Sequence, residues 1–254
     1  MFTHALVRKP CKNIVEGITS AKLGEPDYQK ALVQHASYVQ TLMECGLEVM
    51  QLEASEEYPD SVFIEDIALL TPEFAVITRP GAPSRRGETE GIKEVLWEFY
   101  DEIVEIQPPG TLDAGDVMMA GNRFFIGLSG RTNEEGARQL EAILHKFGFA
   151  TILVELENLL HLKTGVSYLE HDTMLVGPEL KDADFLEDYR TIEVALEESY
   201  AANCIWVNTT IIIPKGYPTT LKKIEDAGYD RIVTTDTSEF RKLDGGLSCL
   251  SLRF

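Results

Sequence analysis

The groups in this 254-residue sequence that could do chemistry are four thiols, five imidazoles and a large set of carboxylates. The cysteines are Cys11, Cys45, Cys204 and Cys249, and no two stand at C-x-x-C spacing. A zinc ribbon and a thioredoxin-type redox pair are therefore excluded, and four cysteines in so long a chain make no disulfide scaffold. What stays open is one cysteine acting with a distant histidine, the pairing in which imidazole serves a thiol nucleophile. The carboxylates Asp60, Glu65, Asp66, Asp113 and Asp116, with His161, Lys163, Asn203, Ser248 and Cys249, each stand at the entry to an apolar pair of segments. Taken singly, a turn carboxylate usually bonds its own backbone and a cysteine in an apolar strand usually packs. Their recurrence at equivalent places is what points to a shared site.

Those places are set by alternating helices and strands. Asp27 to Cys45 has helical spacing at Ala31, His35, Tyr38, Val39, Leu42 and Met43, with Gly46 as its stop and a strand at Leu47–Leu52. Glu88–Tyr100 is predicted as a helix before a strand at Ile103–Ile106. Asn133 caps a third helix that ends at Gly148, before Ala150–Val154. Lys181–Tyr189 leads into Thr191–Val194. Pro218 opens a helix that Gly228 ends, and Arg231–Thr234 follows. After each unit come two apolar runs joined by a short polar turn, as in a hairpin. They begin at Phe63, Asp116, Gly165 and Cys204. The last run, Leu247–Leu252, has no partner after it, and His4–Arg8 can supply one. Five units closed by the two termini form a radial repeat, in which the hairpin entries converge on the axis. Leu112–Asp116 resembles Leu243–Leu247 and adds weak support. A doubly wound three-layer sheet is the alternative, but it calls for single buried strands rather than hairpins.

Composition narrows the class. Hydrophobic residues at 44% and charged residues at 26% are ordinary for a globular chain. No apolar stretch approaches the length of a membrane span, and Met1 to Pro10 has no signal-peptide core, so a cytoplasmic location is expected. With 23 basic and 42 acidic residues the net charge is −19, which repels nucleic acid and anionic membranes and gently favours cationic small molecules. One catalytic domain over residues 1–254 is expected.

Several separated motifs carry a family resemblance. They are Pro59–Asp66, Ser84–Glu88, Thr111–Asp116, Arg131–Asn133, Leu160–Lys163, Ala201–Cys204 and Asp244–Cys249. In this order they resemble the dimethylarginine dimethylaminohydrolases, members of the guanidino-modifying enzymes. The resemblance implies a five-bladed pseudo-symmetric α/β propeller, the pentein fold, closed by pairing of the N- and C-terminal strands. It also implies hydrolysis of N-omega-methylated arginine to citrulline and a methylamine.

Roles follow from the same resemblance. Cys249 matches the nucleophile, and a soft thiolate suits attack on a resonance-stabilised guanidinium carbon. His161 matches the general acid and base that protonates the departing amine and later activates water. Asp113 matches the carboxylate supporting the histidine or the guanidinium, a position where some bacterial relatives carry Glu. Asp66, with Glu65, matches the guanidinium clamp. Arg85 and Arg131 match the grip on the substrate carboxylate, Asp60 the α-amino contact, and Ile18 and Leu243 backbone carbonyls that assist. Cys204 reads as packing; Cys11 and Cys45 match no motif.

Two rival reactions use the same scaffold. Arginine deiminases resemble the chain in fold and in the Cys/His pair, but carry His-x-Asp where this sequence has His161-x-Lys163. A second carboxylate wants N–H donors that a dimethylated nitrogen lacks, so its loss suits a methylated substrate. A citrulline-type ureido hydrolase would keep the amino-acid grip and take a neutral substrate. A ribosome-binding propeller without catalysis is the remote alternative. No cofactor is implied, and zinc held between thiolate and imidazole would inhibit. The partners implied are a small-molecule substrate and, from the family resemblance, a second copy in a homodimer.

Overall fold

The computed structural model describes residues 1–254. In chain order the first elements are β1 (His4–Arg8), α1 (Tyr28–Glu44), β2 (Glu48–Leu52), β3 (Ala68–Leu70), β4 (Ala75–Ile77), α2 (Ile92–Leu96) and β5 (Ile103–Glu105). Next come β6 (Val117–Ala120), β7 (Arg123–Leu128), α3 (Glu134–Lys146), β8 (Ala150–Glu155), α4 (Leu162–Gly165), β9 (Val166–Tyr168), β10 (Thr173–Val176) and β11 (Arg190–Glu193). The chain ends with β12 (Ile205–Val207), β13 (Thr210–Pro214), α5 (Pro218–Asp226), β14 (Ile232–Thr235), α6 (Ser238–Arg241) and β15 (Leu252–Arg253).

The strands form five separate three-stranded sheets built to one plan. A central strand pairs antiparallel with the strand before it and parallel with the strand after it. A tight turn suffices for the first pairing, whereas the second needs a crossover. The crossover is helical except between β10 and β11, which hold only a short 3₁₀ turn, Asp184–Leu186. In the remaining blade the termini complete the plan. β15 pairs antiparallel with β1 at Ala5↔Arg253 and Leu6↔Leu252, and β2 pairs parallel with β1 from His4↔Glu48 to Arg8↔Leu52. This is the five-bladed α/β propeller expected from the repeat, with closure by the N- and C-terminal strands.

No single core fills the centre. Five apolar clusters each lie between two neighbouring blades. Successive side chains of a strand point to opposite faces. Ala5 and Val7 accordingly join one cluster and Leu6 another, while Phe124 and Ile126 face one neighbour and Phe125 the other. A central strand buried on both faces must be apolar throughout, which is why Ile211–Ile213 and Phe124–Ile126 read as continuous runs. No helix is long and apolar enough to cross a membrane.

The caps fall where the sequence puts them. Asp27 accepts Lys30 N–H at 2.9 Å, Asn133 accepts Gly136 N–H at 2.8 Å, and Pro218 opens α5. Four expectations need correction. The Glu88–Tyr100 helix is broken: Pro83–Thr89 is a 3₁₀ segment and α2 starts only after Gly91, whose φ of 76° breaks the helical path. Lys181–Tyr189 forms no helix beyond its 3₁₀ turn. Leu247–Leu252 is not one strand, because Ser248–Leu250 is a 3₁₀ turn and pairing begins at Leu252. The Leu112–Asp116 and Leu243–Leu247 similarity is out of register, since Asp113 and Leu247 hold the equivalent positions before their turns.

Such a turn precedes the first strand of every blade. The five are Ile64–Ile67, Ala114–Asp116, α4, Leu196–Ala202 and Ser248–Leu250. They bring the hairpin entries to the axis.

One buried group makes folding sensitive to acid. His35 on α1 is buried, its Nε2 has no partner, and burial pulls its pKa down to about 4 against a weak backbone bond at Arg8. The unfolded chain protonates this ring near 6.5 and the folded chain only near 4, so stability falls as pH drops through that window. Between pH 7 and pH 5 the loss from this group is about 2 kcal/mol. Urea unfolding of the native chain and His35→Gln at both pH values measures it. The variant should lose about 2 kcal/mol less than the native chain over the interval. Equal losses would show that His35 does not titrate on unfolding.

Candidate active site

A closed circuit of hydrogen bonds joins the five turns. Ser248 Oγ donates to Glu65 Oε2 at 2.7 Å, and Gly115 N–H to Asp66 Oδ1 at 3.1 Å. Leu162 N–H donates to Asp116 Oδ1 at 2.9 Å, Asn203 Nδ2 to the Lys163 carbonyl at 2.9 Å, and Ser248 N–H to Asn203 Oδ1 at 3.0 Å. Each turn is thus tied to the next by a side chain on one and, mostly, backbone on the other.

Two cavities meet at this circuit and share no lining residue. The first, a cleft of about 360 Å³, is lined by segments that precede the turns and by the turns' front-facing residues. Asp66, His161 and Cys249 line it together with Asp60, Arg85, Arg131, Ile18 and Leu243. The second lies toward the strands that follow the turns and takes Glu65, Lys163 and Ser248. Residues one or two apart therefore divide: Asp66, His161 and Cys249 face the cleft, while Glu65, Lys163 and Ser248 face away.

Glu65 accordingly stands apart from the cleft. Its carboxylate accepts Lys163 Nζ and Ser248 Oγ, each at 2.7 Å, and has Arg253 Nη2 at 3.7 Å. Of the two residues expected to hold a guanidinium, Asp66 is the one whose side chain is presented to it. Lys163 points away with Glu65, so the cleft has no second carboxylate at that position.

Asp66 is buried and ionised. Burial works against its charge, but the His161 cation, Arg85 and the Gly115 N–H hold its pKa below the usual carboxylate value. Arg85 Nη1 donates to Asp66 Oδ2 at 2.6 Å. The rest of that guanidinium is also committed: Nε and Nη2 bind both oxygens of Glu88 at 2.9 and 2.8 Å, and Nη2 reaches the Phe63 carbonyl at 3.0 Å. Of five N–H donors one Nη1–H remains for a ligand. Arg131 makes no side-chain bond within the chain and lines the cleft, so it is the freer guanidinium.

His161 is held from behind. Its Nε2 lies 3.0 Å from Asp113 Oδ2, and Asp113 Oδ1 is fixed by the Gly81 N–H at 2.8 Å. Its Nδ1 faces Asp66 Oδ1 at 3.9 Å. Burial pushes its pKa down, yet Asp66, the Asp113 bond and Asp116 outweigh this and raise it to about 9, so the ring is a cation at neutral pH. Asp116, itself pushed up to about 6 by burial, accepts Ser129 Oγ, Thr132 Oγ1 and Leu162 N–H. Cys249 is 9% exposed, with the Gly246 N–H 3.4 Å from its sulfur. Burial, then Glu65 and Asp66, raise its pKa to about 12, so the resting group is a neutral thiol. Cys204 is buried and likewise pushed up to about 12, in keeping with packing, and Cys11 and Cys45 lie outside the cleft.

Both Asp60 oxygens accept the Ile18 N–H, at 3.0 and 3.2 Å. No hydrogen bond of the chain ends on the carbonyls of Ile18 or Leu243, which leaves both free for a donor. Asp66, Asp113 and His161 have ligand atoms within 4.8 Å of one another, a spacing a metal ion could bridge. All three are already engaged with Arg85, Gly115, Gly81 or each other.

Sequence reasoning gave no role to Glu88, Asp116 or Gly115. Arg85-x-x-Glu88 is visible as an ion-pair spacing, and Gly115 lies inside a quoted motif. A propeller with a thiol and an imidazolium set among carboxylates at its axis defines a cysteine-dependent enzyme of the guanidino-modifying class. A family described as N,N dimethylarginine dimethylhydrolase, eukaryotic, matches residues 19–181. The chain belongs to the dimethylarginine dimethylaminohydrolase family. It is 53% identical to the N(G),N(G)-dimethylarginine dimethylaminohydrolase of Pseudomonas aeruginosa, over all of both chains. It is 35% identical to that of Streptomyces coelicolor, over 98% of this chain and 96% of the other. A solved structure of the Pseudomonas enzyme, a Cys-to-Ser variant complexed with citrulline, superposes with a TM-score of 0.98 at 52% identity over both full chains.

Gly115 offers a test of the geometry. A methyl group there would lie 2.7 Å from both Asp66 Oδ1 and His161 Nδ1. Gly115→Ala should therefore push the two apart and lower kcat by roughly a hundredfold. Steady-state rates on protein checked by circular dichroism decide it; a native-like rate would mean the spacing of Asp66 and His161 is not needed.

Proposed function

We propose that this chain hydrolyses N-omega-methylated L-arginine to L-citrulline and dimethylamine or methylamine through a covalent adduct on Cys249. The observation that carries this is a resting thiol and a charged imidazole facing Asp66 in one cleft, with amino-acid-binding groups at the other end. The Pseudomonas relative, solved with citrulline, supports the same product.

The steps follow from the charges. A guanidinium entering beside Asp66 brings a positive charge next to Cys249 and removes much of the cost of ionising it. The thiol gives up its proton to solvent, since His161 is already charged, and the thiolate bonds to the guanidinium carbon. The Nδ1–H of His161 protonates the alkylated nitrogen, the C–N bond breaks, and dimethylamine leaves with the electron pair. A thiouronium remains on sulfur. Water loses a proton to the now neutral His161 and adds to the same carbon; the C–S bond breaks, citrulline departs and the sulfur recovers its proton. Asp113 keeps the ring oriented throughout. Arg131, with the remaining Nη1–H of Arg85, binds the substrate carboxylate. Asp60 and the carbonyls of Ile18 and Leu243 take the α-amino group. Glu65 supports this frame from the far side. The whole of residues 1–254 serves as one catalytic domain, which works in the cytoplasm as a homodimer.

A panel of asymmetric dimethylarginine, monomethylarginine, arginine, agmatine and citrulline, with products separated, tests the reading. Methylated arginines should turn over and agmatine should not, since it lacks the carboxylate. Arg131→Ala should raise KM by a factor matching ~2–5 kcal/mol, the cost of unpairing a desolvated charge. Cys249→Ser should lose about 10³- to 10⁶-fold in kcat. Comparable agmatine turnover would sink the carboxylate grip.

The pH profile checks the acid. His161 donates only while charged, so kcat/KM for dimethylarginine, which rises with pH as the thiol ionises, should level off above about pH 9. S-Methyl-L-thiocitrulline loses a thiolate that needs no proton, so its rate of adduct formation should keep rising through the same range as the thiol ionises. The same profile for both substrates, with no levelling for dimethylarginine alone, would remove His161 as the proton donor.

A further inference from the structure

Asn203 touches neither cavity and is 5% exposed, yet its amide is fully used. Nδ2 donates to the Lys163 carbonyl at 2.9 Å and to Ser248 Oγ at 3.0 Å, while Oδ1 accepts the Ser248 N–H at 3.0 Å. Lys163 is two residues beyond His161, and Ser248 immediately precedes Cys249. No hydrogen bond joins those two turns directly; this amide bridges them through backbone groups on both sides, beside the Glu65 carboxylate, which takes their side chains Lys163 Nζ and Ser248 Oγ. Its fit is close: a methyl group on Gly246 would lie 2.5 Å from Asn203 Cγ, and the Gly246 N–H is the one that reaches Cys249 Sγ. The same blade adds a second tie, since Tyr200 Oη donates to the Gly245 carbonyl at 2.8 Å. The task needs two N–H donors and an acceptor in one plane, which a side-chain amide supplies and a carboxylate or hydroxyl does not.

We propose that Asn203 is a positioning residue for the hydrolysis: its amide holds the His161 turn and the Cys249 turn in register, so that proton donor and nucleophile reach the same carbon together. The inference rests on the function argued above. The fifth blade, which gives the cleft no side chain, contributes in this way the alignment of the other four.

Asn203→Asp and Asn203→Ala test it. Asp keeps the volume and the acceptor but loses both donors and sets an oxygen against the Lys163 carbonyl. In either variant kcat for asymmetric dimethylarginine should fall roughly ten- to a hundredfold, the scale of a small misplacement of reacting groups. KM should stay within about threefold, because Asp60, Arg131 and Ile18 lie on other elements; a threefold change is well under 1 kcal/mol. The sharper readout is single-turnover adduct formation followed by mass spectrometry. Dimethylarginine needs thiol and imidazole aligned, whereas S-methyl-L-thiocitrulline needs only the thiol. The ratio of the two rates should shift at least about tenfold, or 1.4 kcal/mol, against dimethylarginine. An unchanged ratio, or kcat and affinity lost in proportion, would overturn the proposal. So would failure of the Asp variant to fold, which would make the amide a requirement of the fold alone. If the native protein leaves methylated arginines intact, the functional reading fails. The same comparison then runs on whichever member of the panel it does turn over.

Discussion

Burying a carboxylate ordinarily drives it neutral, because the interior cannot replace the hydration of the ion. Asp66 escapes this through Arg85 at 2.6 Å, the Gly115 N–H at 3.1 Å and the imidazolium across from it. Arg85 in turn stays in place because Glu88 grips it with both oxygens. Breaking such a buried pair leaves an uncompensated ion and costs about 3–5 kcal/mol. The pair does more than hold blades together. Asp66 is the largest contribution raising the His161 pKa, and it also helps to keep Cys249 a thiol. One buried anion therefore favours the proton on both groups, as the leading charge at His161 and behind burial and Glu65 at Cys249.

Radial symmetry explains how so many unlike groups come to that anion. Every blade delivers a short turn to the axis, but nothing obliges the turns to carry the same side chains. Glu65 and Asp66, Asp113 and Asp116, His161 and Lys163, Asn203, and Ser248 and Cys249 occupy comparable positions with different duties. Within a turn, neighbours split between the two ends of the axis, so a residue facing the cleft and one that ties the turns together sit side by side. Cys249 faces the cleft while Ser248 ties the turn to Glu65 and Asn203. The apolar clusters between blades supply rigidity without occupying the centre, which leaves the axis free for polar groups bonded to one another's backbone.

Much of this was legible in the order of residues. Apolar runs in pairs, helix stops at glycine and the unpaired terminal strands implied five units and a common axis, and the motifs implied which entries mattered. The sequence was silent where direction in space decides. Glu65 and Asp66 are adjacent letters, and only the 3₁₀ geometry sends one to each cavity. Arg85 and Arg131 look alike as guanidinium groups, yet Glu88 occupies one and not the other. The Leu243–Leu247 similarity misled because glycine-rich turns repeat for local reasons. Asn203 stood among the converging residues without a role, since its value lies in joining backbone groups distant in sequence.

The protonation pattern also bears on which substrate the cleft suits. With the site empty, a thiolate at Cys249 would add an anion beside Asp66 and Glu65, and burial makes that costlier still. The thiol therefore stays protonated while the site is empty. A guanidinium supplies the missing positive charge at the moment it supplies the carbon to be attacked. A ureido group has the same shape but no charge, so citrulline would enter without ionising the nucleophile. As the product, it leaves behind a site that again favours the thiol. The charge that admits methylated arginine is thus discharged by the reaction itself, and turnover returns the pocket to rest.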